Sequence, residues 1–328
     1  AALLRWFDRE KRELPWRGTR DPWTVWISEV MLQQTTVQTV LPRFPGFLER
    51  FPTVESLARA DLDSVLAAWS GLGYYARARN LHSAARIVVE EHGGRIPDDT
   101  AALRRLPGIG DYMAQAIAAI AFGRRTVPVE ANVRRVVSRV EASEATPEAA
   151  ARLVSPRRPG DSIAALFDLG QTICRPRKPA CARCPLRGGC RARSLDAVDR
   201  FPSRRAVRAL RPLYRCVAAA VSPSGRILVR RRPAGFLAGM WELPGVESDV
   251  LSRARERFRR RFRPLAAPFS SVEQPIAGRR VRIEIYAAPA PARRPGDRWL
   301  TPAEIEASAS PSLTKKIVRR VSAQRRGA

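Results

Sequence analysis

The sequence predicts a multidomain chain of 328 residues, with an all-α N-terminal half, a short basic linker and an α+β C-terminal half. Three observations carry this. Apolar residues recur at three- and four-residue spacing from residue 1 to about 195, an arginine-rich stretch containing Pro202 runs from 196 to 211, and from Pro212 the apolar runs turn short, alternating or β-branched. The length suits two domains of ordinary size, each able to bury a core.

The opening AALLRWFDREKRELPW has acids within its first ten residues and no long apolar core, which argues against a signal peptide; the chain does not begin with Met. Helical periodicity follows in WTVWISEVMLQQ, LDSVLAAWSGLG and NLHSAARIVVEEH, with Gly and Pro between them. No apolar run approaches the length of a membrane span, so a membrane is not an expected partner.

Residues 103–123, LRRLPGIGDYMAQAIAAIAFG, read as two helices joined by the tight turn Pro107, Gly108, Ile109, Gly110. Glycines there let the backbone present N–H groups at a helix start, where a phosphate can dock without a side chain. This is a helix-hairpin-helix pattern, although a plain helical turn would look much the same. More specific is CRPRKPACARCPLRGGC, with Cys174, Cys181, Cys184 and Cys190 spaced C-x6-C-x2-C-x5-C. Four thiolates this close in sequence form a complete ligand set for one centre. Zinc usually takes repeated C-x2-C pairs, and only one such pair occurs, which favours a [4Fe–4S] cluster. The cluster of cysteines also points to a reducing, cytoplasmic compartment.

The linker at 196–211 has few apolar residues. Beyond it YRCVAAAV, RILVRRR and VRIEIYAA read as strands, SPSG as a turn, and the stretches near 249–263 and 302–320 as helices. Cys216, alone in the first strand, reads as a buried small apolar residue. A net charge of +28 implies a polyanionic partner, nucleic acid above all, although arginine-rich coding also inflates it, since lysine occurs only at 11, 178, 315 and 316.

The hairpin, followed some fifty residues later by the four cysteines, resembles the endonuclease III superfamily of DNA glycosylases. Within it LPWR (14–17), WISEVMLQQTTVQTV (26–40) and GLGYYARARNLHSAA (71–85) look like the MutY-type adenine DNA glycosylases, a likeness covering most of residues 3–195. It implies a DNA glycosylase domain over 1–195 and excision of adenine opposite 8-oxoguanine or guanine in duplex DNA, by a monomer in the cytoplasm at the nucleoid. Cutting an N-glycosidic bond calls for an acid and a carboxylate facing an oxocarbenium-like sugar. Glu29 matches the family acid that protonates adenine at N7, and its neighbours Val30, Met31 and Leu32 should raise its pKa.

Glu130 stands where the superfamily carries an aspartate, and its extra methylene is expected to push the carboxylate outward by roughly 1.5 Å, enough to matter for rate. A slower enzyme, an inactive binder and a changed substrate are all compatible with it. Asn132 would hold the sugar or a water. Tyr112 occupies the place of the Schiff-base lysine in strand-cutting members, so base release without β-lyase activity is expected; it could also hydrogen-bond a carboxylate. Gln34 and Tyr74 match intercalating residues, and Trp16, Arg17 and Leu32 match walls of the adenine pocket, although LPW could equally anchor its helix by packing Trp16 in the core.

Residues 222–247 resemble the MutT-like (Nudix-like) domain with which this family recognises 8-oxoguanine, assigned here to 212–328. The helix that holds Mg²⁺ in a working Nudix hydrolase reads VLSRARERFRRRFR, too poor in acids for that. The lesion-reading hairpin aligns best with Ala277 and Gly278, or with Phe269, Ser270 and Ser271 if the register slides. Two other readings remain open: a same-fold glycosylase with another base or mispair specificity, and a catalytically weak lesion-binding homologue.

Overall fold

A computed structural model describes residues 2–203, 209–233, 237–276, 278–292 and 294–326. The chain forms two units. One comprises Ala1–Arg59 and Asn80–Ala206, the other Ala60–Arg79 and Val207–Ala328. The sequence reading groups residues 60–79 with the helical half, whereas here they pack with the C-terminal half: the Tyr75 hydroxyl donates to Ser310 O, and Lys315 Nζ donates to Ser70 Oγ. Such long-range bonds leave no local periodicity by which to foresee them.

In the helical unit the helix Pro22–Leu32 starts on a strong signal, with Asp21 accepting from Thr24 N at 2.9 Å and Pro at the first turn. It is apolar on all faces, with Trp23, Val25, Trp26, Ile27, Val30 and Met31 buried, as befits a central helix. Thr100–Arg105 and Asp111–Ile120 form the expected hairpin. A second core gathers Leu3, Trp6 and Phe7 against Val133, Val136 and Val137 of the helix Ala131–Glu141, and against Leu166 and Leu169 of the helix Pro159–Thr172. These last two helices meet at Gly170, where a Cβ would lie 2.7 Å from Asn132 Cβ, so only glycine allows the approach.

The start of the expected linker is held in this unit. Arg139 Nε donates to both Val198 O and Phe201 O at 3.0 Å, and Ser203 Oγ donates to Glu144. Residues 204–208 of the linker lie outside the described residues.

Among the described residues the other unit holds seven strands: β1 (Arg211–Ala219), β2 (Ile227–Arg231), β3 (Trp241–Glu242), β4 (Gly245–Ser248), β5 (Ser270–Ile276), β6 (Arg279–Ala287) and β7 (Arg298–Leu300). They form two sheets, ordered β4-β1-β6-β5 and β3-β2-β7, with β1 and β6 parallel and the other pairs antiparallel. The helix Leu251–Phe262 buries Ala254, Phe258 and Phe262 against Cys216, Ala218 and Tyr286. Cys216 is fully buried, as its apolar strand implied, and burial pushes its thiol up to about 11.

Candidate active site in the helical unit

A cleft of about 540 Å³ is lined by Glu29, Leu32, Tyr112, Glu130, Asn132 and Phe167, together with Arg12, Thr35, Thr36, Gln38, Gln171 and Thr172. The central helix brings Glu29 to its wall with only 7% of its surface exposed. Burial in this apolar setting raises the carboxyl to about 7, and the charge of Glu130 adds to the rise. Two contributions oppose it: the Tyr112 hydroxyl donates to Glu29 Oε2 at 3.0 Å, and Arg17 lends positive charge. Tyr112 in turn is held well above its ordinary range by burial and by both carboxylates.

Glu130 is the N-cap of the helix Ala131–Glu141, with Oε1 accepting from Asn132 N at 2.8 Å and Val133 N at 3.0 Å. The side chain therefore does not project outward as its length suggested. Two main-chain N–H groups at the helix start, unsatisfied within the helix, draw it back. Its other oxygen accepts from Asn132 Nδ2 at 3.3 Å. The amide of Asn132 is oriented from behind, because Arg135 donates to its Oδ1 at 2.8 Å, to Gly170 O at 2.7 Å and to Cys174 O at 2.7 Å. One turn on, Arg139 donates to Cys174 Sγ and to Arg175 O. A continuous set of hydrogen bonds thus joins the cysteine loop to Glu130.

Sequence reasoning missed Arg12, Arg135, Arg139 and Asp168. Asp168, with 1% of its surface exposed, accepts from Arg12 Nε at 2.9 Å and from Arg17 at 2.8 Å. A buried acid between two arginines has no local signature in a chain so rich in both. The arginine spacing 135/139, one helical turn apart on a valine-rich helix, was the available clue.

Two family profiles match the chain: one described as HhH-GPD superfamily base excision DNA repair protein over residues 27–156, and the NUDIX domain over residues 216–320. The adenine DNA glycosylase of Homo sapiens is 34% identical over 99% of this chain and 74% of its own length. The chain belongs to the adenine DNA glycosylase family. Among solved structures, a thermostable thymine-DNA glycosylase is similar with a TM-score of 0.56 and 30% identity, over 59% of this chain and 94% of that one. A non-covalent endonuclease III–DNA complex, at TM-score 0.51 and 22% identity over 59% of this chain and 92% of that one, shares the fold.

Of the wall residues matched to other adenine DNA glycosylases, Leu32 lines the cleft. Trp16 lies in the core, its ring 4.9 Å from that of Phe44, and lines a separate cavity of about 70 Å³ together with Arg17. Gln34 and Tyr74 are both exposed and both left-handed, at φ +53° and +47°. Non-glycine residues pay a backbone cost there. In the hairpin, Gly108 has φ +83° and packs so near Asn80 that a Cβ would come within 2.8 Å. Pro107 precedes it, Ile109 is buried, and Gly110 caps the next helix with no side chain, leaving its first N–H groups without one.

Among the described residues no group of three or more Cys, His, Asp or Glu could hold a single metal ion. The four cysteines nevertheless line one cavity of about 20 Å³, walled by Val136, Leu169, Ile173 and Leu186. Cys181 and Cys184 are raised by burial and by the neighbouring cysteines, Cys184 to about 11. A soft, thiol-only donor set around a shared apolar cavity fits an iron–sulfur cluster, whose size keeps its thiolates farther apart than one zinc ion would.

In the Nudix-like unit, Ser270 pairs with Ile285 and Ile276 with Arg279, so Phe269, Ser270 and Ser271 sit at one end of the β5–β6 hairpin and Gly278 at the other. Six residues of strand separate them, roughly 20 Å, so the two sequence alternatives cannot serve one contact. Gly278 is exposed at φ +74° in the turn; Ala277 lies outside the described residues.

Proposed function

We propose that this protein is a monofunctional adenine DNA glycosylase that hydrolyses the N-glycosidic bond of adenine opposite 8-oxoguanine or guanine in duplex DNA, in base-excision repair. The observation that carries this is the pair of acids in one cleft, Glu29 buried with a carboxyl near 7 and Glu130 anchored on a helix start. Near neutral pH Glu29 holds a proton to give the leaving base, while the Glu130 carboxylate faces the cation left on the sugar. Asn132, fixed by Arg135, would place the attacking water. Tyr112 has no amine for a Schiff base, and its hydroxyl is committed to Glu29, so the reaction stops at base release.

Cys174, Cys181, Cys184 and Cys190 would hold a [4Fe–4S] cluster, which supplies a structural tie between the loop 174–190 and the helix that carries Glu130. Protein purified anaerobically should be brown with about four irons per chain; colourless protein with one zinc would reject that assignment. Single-turnover assays on A:8-oxoguanine, A:G and T:G duplexes test the substrate. Because a thymine-DNA glycosylase is 30% identical over the matched region, release of thymine in preference to adenine is the second reading, and that result would replace the first.

A further inference from the structure

The helix Leu251–Phe262 turns Ala254, Phe258 and Phe262 inward. Arg253, Arg257 and Arg261, spaced four residues apart, therefore share a neighbouring face, and all three are exposed. The helix has one acid, Glu256, already paired with Arg260 at 2.6 Å. Arg294, also exposed, lies within electrostatic reach of Arg261, and Asp297, which accepts from Arg294 N at 3.0 Å, is buried and bound by both oxygens to Arg230 at 2.7 Å. The cluster thus keeps its positive charge. Partial burial and the charges of Arg294, Arg230 and Arg257 together lower the Arg261 guanidinium from its ordinary range. Crowded guanidinium groups of this kind are relieved by an anion.

We propose that the ridge Arg253, Arg257, Arg261, with Arg294, is a docking surface for the phosphodiester backbone of duplex DNA. Exposed guanidinium groups on one helix face can hold phosphate oxygens through paired, charge-assisted hydrogen bonds without a metal. From Arg253 to Arg261 the helix rises about 12 Å, comparable to three or four phosphates at about 3.4 Å of axial rise along one strand. An exposed linear ridge suits a polymer better than a compact triphosphate. The contact is independent of sequence and of damage, since phosphates carry no base information.

The test uses the full chain. Arginine-selective dicarbonyl labelling read by mass spectrometry should show these four arginines protected several-fold by undamaged duplex. In the quadruple variant R253Q/R257Q/R261Q/R294Q the slope of log affinity against log salt should shrink by about 2 to 4, at about 0.9 per phosphate contact, while the corresponding lysine variant keeps the slope. Single-turnover base release at saturating enzyme should be unchanged in both, so this binding is read apart from the excision chemistry. An unchanged slope in the glutamine variant would overturn the proposal. So would absence of protection by duplex, or protection by a free nucleoside triphosphate alone; the labelling needs no variant to fold.

Discussion

Replacing Glu29 by Gln should make the protein both more stable and inactive, and the structure sets the size of each effect. The carboxyl moves from 4.5 to about 7 on folding, mainly because it is buried with 7% of its surface exposed. A folded-state pKa above the unfolded one means the native state binds the proton more tightly, so stability is full below 4.5 and falls as pH rises through about 7. At about 1.36 kcal/mol per pK unit, the wild-type chain gives up about 3 kcal/mol once Glu29 is ionised. Gln removes that loss, keeps the shape and can still accept from Tyr112. Denaturant unfolding of both proteins across pH should give nearly equal stabilities below 4.5 and a variant more stable by about 2 to 3 kcal/mol above 7. Base release should meanwhile fall by about 10²- to 10⁴-fold, the usual worth of a general acid. A variant no more stable than wild type above pH 7 would refute the claim that Glu29 is held protonated by its surroundings.

Tyr112→Phe removes a bond that favours the ionised carboxylate and is worth about 1.5 to 3 kcal/mol, so the alkaline limb of the base-release profile should move up by about 1 to 2 pH units; a limb that stays put would exclude the pairing as a control on Glu29. Glu130→Ala removes a helix cap as well as a carboxylate, so thermal unfolding should show a loss of about 0.5 to 2 kcal/mol along with lost excision, whereas Glu130→Asp should retain both. Gly170→Ala would drive a methyl into Asn132 and should cost about 1 to 3 kcal/mol together with base release, while Gly46→Ala, with nothing within 4 Å of the added carbon, should leave both intact.

Much of the helical unit was legible because its signals are local. The glycines of 107–110 act within one turn, and the three- and four-residue apolar spacing of WTVWISEVMLQQ marks the helix Pro22–Leu32. The elevated pKa of Glu29 was legible too, since three apolar neighbours in sequence remain neighbours in a helix buried on every side. Contacts over long separations were not. Tyr112 and Glu29 are 83 positions apart, and sequence could offer that bond only as one option. Trp16 follows Pro15 in a motif matched to a base pocket, yet its indole packs edge-on against Phe44, where burial of a large ring outweighs exposure in a cleft. The length of Glu130 suggested an extended carboxylate, and uncapped N–H groups at the following helix pulled it back. In the other unit, alternation marked β1 and β6 without revealing that they pair in parallel, nor that Ser270 and Gly278 fall at opposite ends of one hairpin.

The most direct test is the pH dependence of single-turnover adenine release from an A:8-oxoguanine duplex at saturating wild-type enzyme. With Glu29 as the proton donor at about 7, the rate should be level on the acid side and decline about tenfold per pH unit on the alkaline side. A rate that stays level or rises through that range would contradict a buried, protonated Glu29 as the acid of this reaction.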